Sequence, residues 1–449
     1  MNALVRGARA LLGTYAPQPR LALWIALLSV AWLLPQPAGR VGGVVVVCAL
    51  VLAVVVDTVR LPARASLRVT REFPPNVGIG DDGHGHYLVE NLAARTLIVR
   101  LQDRFPALLR GGLGAQTVRL APQAAHQLAI SATGLVRGTA ALDMVGVRVT
   151  TTFGLVSATY RYDLTDDVRV IPSMSGVRRF RLLAMQQRLG SLGVRVLRRK
   201  GGGLAFASLR EYVRGDDPRH IDWKTTSKKD KLITREFTIE RSQHVITLVD
   251  AGRAMTQLSG EFPRFEHALS AALILTDVAA NSGDSVGTLV FDDEVRAFVP
   301  AHTSRGALSL IRNAFVPVVA TMREPDYASA FRFLATHQRK RALIVFFTDV
   351  IDIRASQALL AHVSRSATRH LVLVVALRND ALFAAARVQS NSTPAMLYES
   401  AAAEEVIQAR EAVLHRMRRA GVIVLDVSPA TMTAQVVNQY LELKNRGAL

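Results

Sequence analysis

The chain has 449 residues, room for two or three domains, and carries a formal net charge of +19 although half of it is hydrophobic. The basic excess, with a pI near 10.9, raises nucleic-acid binding. Yet it is mostly arginine spread along the chain, with no recognisable motif or aromatic–basic platform. A cytoplasmic domain beside an anionic leaflet gains equally from being basic. The only cysteine, Cys48, excludes an intramolecular disulfide, which fits a reducing compartment.

A mean hydropathy of +0.21 is high for so charged a chain, and its source is the N-terminal region. Leu21–Leu34 and Val41–Val56 are uncharged apolar runs separated by the turn-rich Pro35–Arg40. Each is short of the ~20 residues that cross a bilayer, but snorkelling Arg20, Arg40 and Arg60 complete the span. A cleaved signal peptide would explain the first run and leave the second without a purpose. The expectation for residues 1–60 is therefore a membrane hairpin of two transmembrane helices, about 21–34 and 41–57. Arg6, Arg9 and Arg20 precede it, Arg60, Arg64, Arg68 and Arg71 follow it, and only Arg40 lies in the turn. The positive-inside rule then puts both ends in the cytoplasm, giving a multi-pass protein of the inner (cytoplasmic) membrane.

Residues 61–175 read as a β-rich, sandwich-like domain. Short segments at Leu67–Thr70, Tyr87–Val89, Thr96–Leu101, Thr117–Leu120, Gln127–Ile130 and Val145–Thr151 are divided by Gly, Pro, Asn and Asp. His84 and His86, among glycines, predict a polar hairpin loop rather than a metal site. Residues 176–242 open with a basic helical pattern to Lys200, broken by Gly201–Gly203, which lacks the ending of a phosphate loop. There follows a run from Leu209 to Lys224 in which Tyr212, Ile221 and Trp223 are threaded between charges. Apolar residues in such a run predict a segment folded against protein, its charges paired with one another.

From residue 243 to 449 the chain alternates strand and helix. Strands are expected at His244–Val249, Ser285–Phe291, Ala342–Thr348, His370–Ala376 and Val422–Asp426. Helices are expected at Arg264–Ala280, Ser304–Phe315, Tyr327–His337, Ala355–Ser366, Ala401–Arg419 and Thr433–Lys444. Continuous apolar strands with intervening helices predict a mostly parallel, doubly covered sheet, with functional groups at strand carboxyl ends, where Asp250 and Asp349 fall.

Ala207–Asp217, Arg219–Lys224 (RHIDWK) and Arg235–Glu240 (REFTIE) resemble the signature of the bacterial membrane-protein family called domain of unknown function 58. Arg137-Gly138, Phe153–Leu155 and Val168–Pro172 resemble further landmarks. The resemblance implies an α/β protein whose C-terminal part is a von Willebrand A-like (Rossmann-like) doubly wound sheet, and an association with MoxR-type AAA+ ATPases. Domains of that type often hold a divalent cation at a metal-ion-dependent adhesion site. Here its first element reads Asp250-Ala251-Gly252-Arg253-Ala254, so Gly252 and Ala254 replace both hydroxyl ligands. Arg323–Tyr327 lacks the threonine, leaving Asp326, and Asp349 alone survives at the third element. Mg2+ or Mn2+ needs an oxygen shell that this degenerate set does not supply, so no cofactor is expected and the two carboxylates read as caps.

No arrangement compels an enzyme, and no catalytic residue is assigned. Arg210, Glu211, Tyr212, Gly215, Asp216, Asp217, Arg219, Asp222, Trp223, Lys224, Arg235 and Glu240 are expected to form a structural clamp pinning the signature to the sheet, since desolvated carboxylates need compensation. The expected function is a membrane-anchored, cytoplasm-facing adaptor that binds protein partners, with a MoxR-type AAA+ ATPase as the partner the resemblance implies. The alternatives are a metal-dependent envelope-associated enzyme and a basic nucleic-acid-binding membrane protein.

Overall fold

The computed structural model describes residues 15–29, 38–175, 205–213, 216–229, 231–238, 243–303, 306–350, 353–387 and 394–447. The chain divides into two units, Met1–Ser173 and Met174–Leu449.

In the first unit β1 (Tyr15–Pro17) leads into α1 (Pro19–Ser29), and α2 (Ala38–Arg60) follows. Over Val41–Arg60, with mean hydropathy 2.6, α2 is the one described helix long and apolar enough to cross a membrane. Its Val41, Val45, Leu52 and Val59 side chains are exposed, as a lipid-facing surface requires. The end of the first apolar run and the turn, residues 30–37, lie outside the described residues, as do 1–14. α2 does not end free. Its buried Asp57 accepts from the backbone N–H groups of Leu155 (2.8 Å) and Val156 (2.9 Å) and from the Thr151 hydroxyl.

The strands are β2 (Leu67–Glu72), β3 (Asn76–Gly78), β4 (Asp82–Asn91), β5 (Leu97–Asp103), β6 (Leu109–Gly111), β7 (Gln116–Leu120), β8 (Ala125–Gly134), β9 (Gly138–Thr150) and β10 (Val156–Ile171). They form one sheet in the order β1-β10-β9-β5-β7, with β3 beside β10, and another in the order β2-β4-β8-β6. Alternate residues of both sheets, among them Val69, Tyr87, Val89, Val99, Leu101, Ile130, Val147 and Val149, meet in one buried core.

Two sequence expectations are corrected here. His84 and His86 lie inside β4, paired across to β8, and not in a hairpin loop. The intervening glycines serve packing rather than turning: a Cβ on Gly85 would collide with the Glu72 carbonyl and the Phe73 ring. Arg71, counted with the basic flank of the hairpin, is buried instead. Its guanidinium pairs with Asp166 (2.9 Å) and lies beside Tyr87 and Asp103 (3.6 Å). Spacing could not separate it from the exposed Arg68, three residues away on the other face.

In the second unit β11 (Ala205–Glu211), α3 (Trp223–Lys229) and β12 (Ile233–Thr238) make an antiparallel ribbon around a short helix. Then come β13 (His244–Asp250), a two-residue hairpin of β14 (Leu258–Ser259) and β15 (Phe262–Pro263), α4 (Arg264–Asn281), β16 (Ser285–Phe291), β17 (Val295–His302), α5 (Ala307–Phe315), α6 (Tyr327–His337), β18 (Ala342–Thr348), α7 (Ile353–Ala367), β19 (Leu371–Leu377), α8 (Asp380–Ala385), α9 (Pro394–Arg419), β20 (Ile423–Val427) and α10 (Pro429–Asn445). The sheet order is β17-β16-β13-β18-β19-β20, parallel except for β17. Val245, Val249, Val345 and Phe347 pack on α4, α5 and α10, while Ile246, Leu248, Ile344 and Phe346 pack on α6, α7 and α9. Both faces are thus covered, which is why these strands are apolar without alternation. The edge strand β17 was not expected. Its polar residues and Pro300 suit an edge, where one face of hydrogen bonds is free. The basic pattern at 176–200 lies outside the described residues.

Candidate functional site

The strand order reverses at β13, which has β16 on one side and β18 on the other, so a crevice opens at the carboxyl ends of β13 and β18. Asp250 ends β13 and Asp349 follows β18. Asp250 is 1% exposed. Its Oδ1 accepts from the Gly252 N–H (2.8 Å), and its Oδ2 from the Thr348 hydroxyl (2.7 Å) and the Tyr327 hydroxyl (3.3 Å). These donors do not offset its burial, which pushes the carboxyl up to about 6. Burial and the facing Asp250 carboxyl raise the Tyr327 phenol as well.

Asp349 is held differently. The Arg264 guanidinium pairs with its Oδ2 and Arg410 Nη1 with its Oδ1 (2.9 Å), and all three side chains are buried. Burial pushes the Asp349 carboxyl up, and the two guanidinium groups pull against it. Arg410 also donates to the carbonyls of Val350 (2.9 Å) and Leu377 (3.0 Å) and to Asp426 (2.9 Å). One cationic fork therefore joins the ends of β18, β19 and β20. The Nε atoms of Arg264 and Arg410 have no hydrogen-bond partner.

The loop before α6 closes over this crevice. Thr321 N–H donates to the Ala251 carbonyl (2.8 Å) and Arg253 N–H to the Arg323 carbonyl (2.9 Å). A Cβ on Gly252 would lie 2.9 Å from Pro325 Cδ and 3.1 Å from the Arg323 carbonyl oxygen. Ala254 sits in the single turn Arg253–Thr256 and has no donor atom to offer. Asp326 caps α6, accepting from the Ser329 N–H (3.0 Å), and the Ser329 hydroxyl together with that amide holds its carboxyl below the usual range. The donor set does not fit a divalent cation: two hydroxyl positions are apolar, Asp326 is engaged as a cap, and Asp349 already carries two cations. Among the described residues no three His, Cys, Asp or Glu side chains gather at one point.

Sequence reasoning missed Arg264 and Arg410, though both left a signal. Arg264 is the buried first residue of a largely buried helix, where the helix dipole disfavours a cation, so its presence there calls for a buried anion. Arg410 continues the spacing Ala403, Ile407, Val413, Leu414, Met417 on the buried face of α9.

The signature segment is drawn together by short-range pairs. Arg210 meets Asp216 (2.7 Å), Arg235 meets Asp222 (2.8 Å) and Lys231 meets Glu211 (2.9 Å). Asp216 also accepts from the Val213 N–H, and its carbonyl from the Tyr212 hydroxyl. Asp217 caps the turn Pro218–His220 through Arg219 N–H, and Asp222 caps α3 through Thr225 N–H. The Thr225 amide and Arg235 hold the Asp222 carboxyl below its ordinary range. These described pairs close within the segment. Trp223, expected to be buried, is 68% exposed, because it opens α3 immediately after the cap. Lys224 beside it is exposed too, and Gly215 and Glu240 lie outside the described residues.

This is a mixed α/β protein with several sheets and, among the described residues, one N-terminal helix long and apolar enough to cross a membrane. Residues 208–389 match the family described as protein of unknown function DUF58. An uncharacterized protein of Mycobacterium tuberculosis is 24% identical over 157 residues, 34% of this chain and 48% of the relative. Uncharacterized protein YeaD of Bacillus subtilis is 30% identical over 114 residues, 25% of this chain and 28% of its own length. The chain thus spans about half or less of the curated relatives it matches. A FixG-related protein from Vibrio parahaemolyticus aligns with 23% of this chain and 96% of its own at TM-score 0.18 and 10% identity. Proximal thread matrix protein 1 from the mussel byssus aligns with 45% of this chain and 48% of its own at TM-score 0.27 and 11% identity. Neither structural likeness carries an argument.

Proposed function

We propose that this chain is a membrane-anchored adaptor whose α/β unit, a von Willebrand A-like (Rossmann-like) module, binds protein partners through the loops at its strand carboxyl ends. The observation that carries the reading is the buried Arg264–Asp349–Arg410 cluster. A guanidinium stands against the carboxylate that such a module would offer to a cation, so the crevice is neutralised from within and its loops are braced. What remains for the loops is contact. Loops braced by the pairs Arg253–Glu324 (2.8 Å) and Arg323–Asp293 (2.6 Å) on a doubly covered sheet are a sound platform for a protein partner, because little order is lost on docking.

Anchoring is supported by α2, and the multi-pass inner-membrane arrangement with the larger parts in the cytoplasm extends it through the first apolar run. In the same reading the signature ribbon, preformed by its own ion pairs, acts as a clamp beside the platform. A ring-forming ATPase of the MoxR type is the partner class we propose. The test is affinity purification of the full chain from membranes, with the ATPase as bait and Arg323→Glu with Arg253→Glu as the loop variant. Stoichiometric capture that the loop variant weakens supports the adaptor; repeated failure to recover the chain counts against it.

A further inference from the structure

A cleft of about 460 Å3 opens between α6, α7 and the start of β19, lined among others by Arg332, His362, Arg365, Thr368, Arg369 and His370. Its Arg365–His370 wall lies at the amino end of β19, and none of its lining residues bonds Asp250 or Asp349. Three guanidinium groups and two imidazoles line it together with the Ser366 and Thr368 hydroxyls, and no carboxylate does. The acid that acts on Arg332 is Asp326, already engaged as the cap of α6. The ring of His370 is 7% exposed, and its Nδ1 has no hydrogen-bond partner. Phe331 and His362 stack beside the arginines, 6.1 Å between centroids and 13° between planes, which stiffens the wall.

Helix electrostatics explains part of this. Arg365 in the last turn of α7 complements that helix's carboxyl end. It does not explain Arg332, which stands in the middle of α6, or a buried imidazole whose Nδ1 has no partner. Like charges gathered around a concavity without counter-charge oppose folding and concentrate anions. Arginine forks beside hydroxyls match the oxygens of a phosphate group in geometry and in charge.

We infer that this cleft is a binding site for a small soluble phosphorylated ligand, its phosphate or diphosphate held by Arg332 and Arg365 over the His370 ring, with Arg369, whose Nη2 also donates to the Arg339 carbonyl, beside them. The inference does not depend on the adaptor reading, since none of its residues lies in the loops at the strand carboxyl ends.

The test is calorimetric titration of the full chain in detergent with inorganic pyrophosphate, at fixed ionic strength with chloride as the background anion. Saturable binding at one site per chain is expected. Arg365→Glu and, on a separate helix, Arg332→Glu should each weaken it about tenfold or more. Arg416→Glu, an exposed arginine on α9 away from the cleft, should leave it unchanged, with melting temperatures checked for all three. Absence of saturable binding by the unmodified chain, or equal weakening by Arg416→Glu, overturns the proposal.

Discussion

Gly252 and Arg264 show how a side chain's absence can matter as much as its presence. A serine at position 252 would complete the hydroxyl pattern of a cation site on paper, but its Cβ would press on Pro325 and on the Arg323 carbonyl. Gly252→Ser is therefore expected to destabilise the α/β unit by about 1–3 kcal/mol in chemical denaturation, the usual range for overpacking. It should also show no Mg2+ heat in calorimetry, because Arg264 and Arg410 still occupy Asp349. A measurable Mg2+ affinity in that variant would refute the account of the site. Asp250 provides a second residue-scale prediction. A carboxyl raised to about 6 in the folded chain holds its proton more tightly there than in the unfolded chain. Its contribution is fully favourable below the unfolded value near 4 and is lost as pH rises through about 6. The loss is on the order of 3 kcal/mol at neutral pH. Asp250→Asn, which cannot ionise, should gain stability relative to the unmodified chain between pH 4 and 7. Parallel pH profiles for the two proteins would exclude a raised Asp250.

Among the elements, α2 is the one whose sequence and surroundings pull in different directions. Its apolar body asks for lipid, while Asp57 near its end asks for donors and finds them in the Thr151–Val156 turn. Removing that carboxylate leaves two buried amides and a hydroxyl without an acceptor, which costs about 1–3 kcal/mol for each group left unpaired. Asp57→Ala should thus expose the Leu155 and Val156 amides to rapid hydrogen exchange and open the turn to protease. Protection in the α/β unit should be unchanged. Unaltered protection at those two amides would mean that the helix end is held by packing alone. The central strands β13 and β18 behave oppositely: buried throughout, they were legible from composition alone. β17 and the long β10 were not, since an edge strand and a polar-faced sandwich strand carry no continuous apolar run.

At the scale of the whole molecule, charge is unevenly used. Arg71, Arg264 and Arg410 sit in the interior as partners for buried carboxylates, whereas Arg332, Arg365 and Arg369 line an open cleft. The net charge of +19 therefore does not describe one basic face. It sums arginines that brace the fold and arginines left facing water, and only the second group is available to a ligand or a partner. The capture and pyrophosphate experiments address the two ends of the sheet separately, so either can fail without the other.

Periodicity along the chain determined the kinds of element, their order and the apolar helix, because burial writes itself into residue spacing: two for a half-buried strand, none for a covered one, 3.6 for a helix. It also marked Asp250 and Asp349, which end apolar runs. Which cation answers Asp349 was decided by the tertiary structure alone. Arg264 lies 85 residues before it and Arg410 61 residues after it, and Coulomb attraction depends on distance in space, which only the wound sheet sets. The same holds for the cleft: its three arginines are ordinary surface residues until α6 and α7 pack side by side.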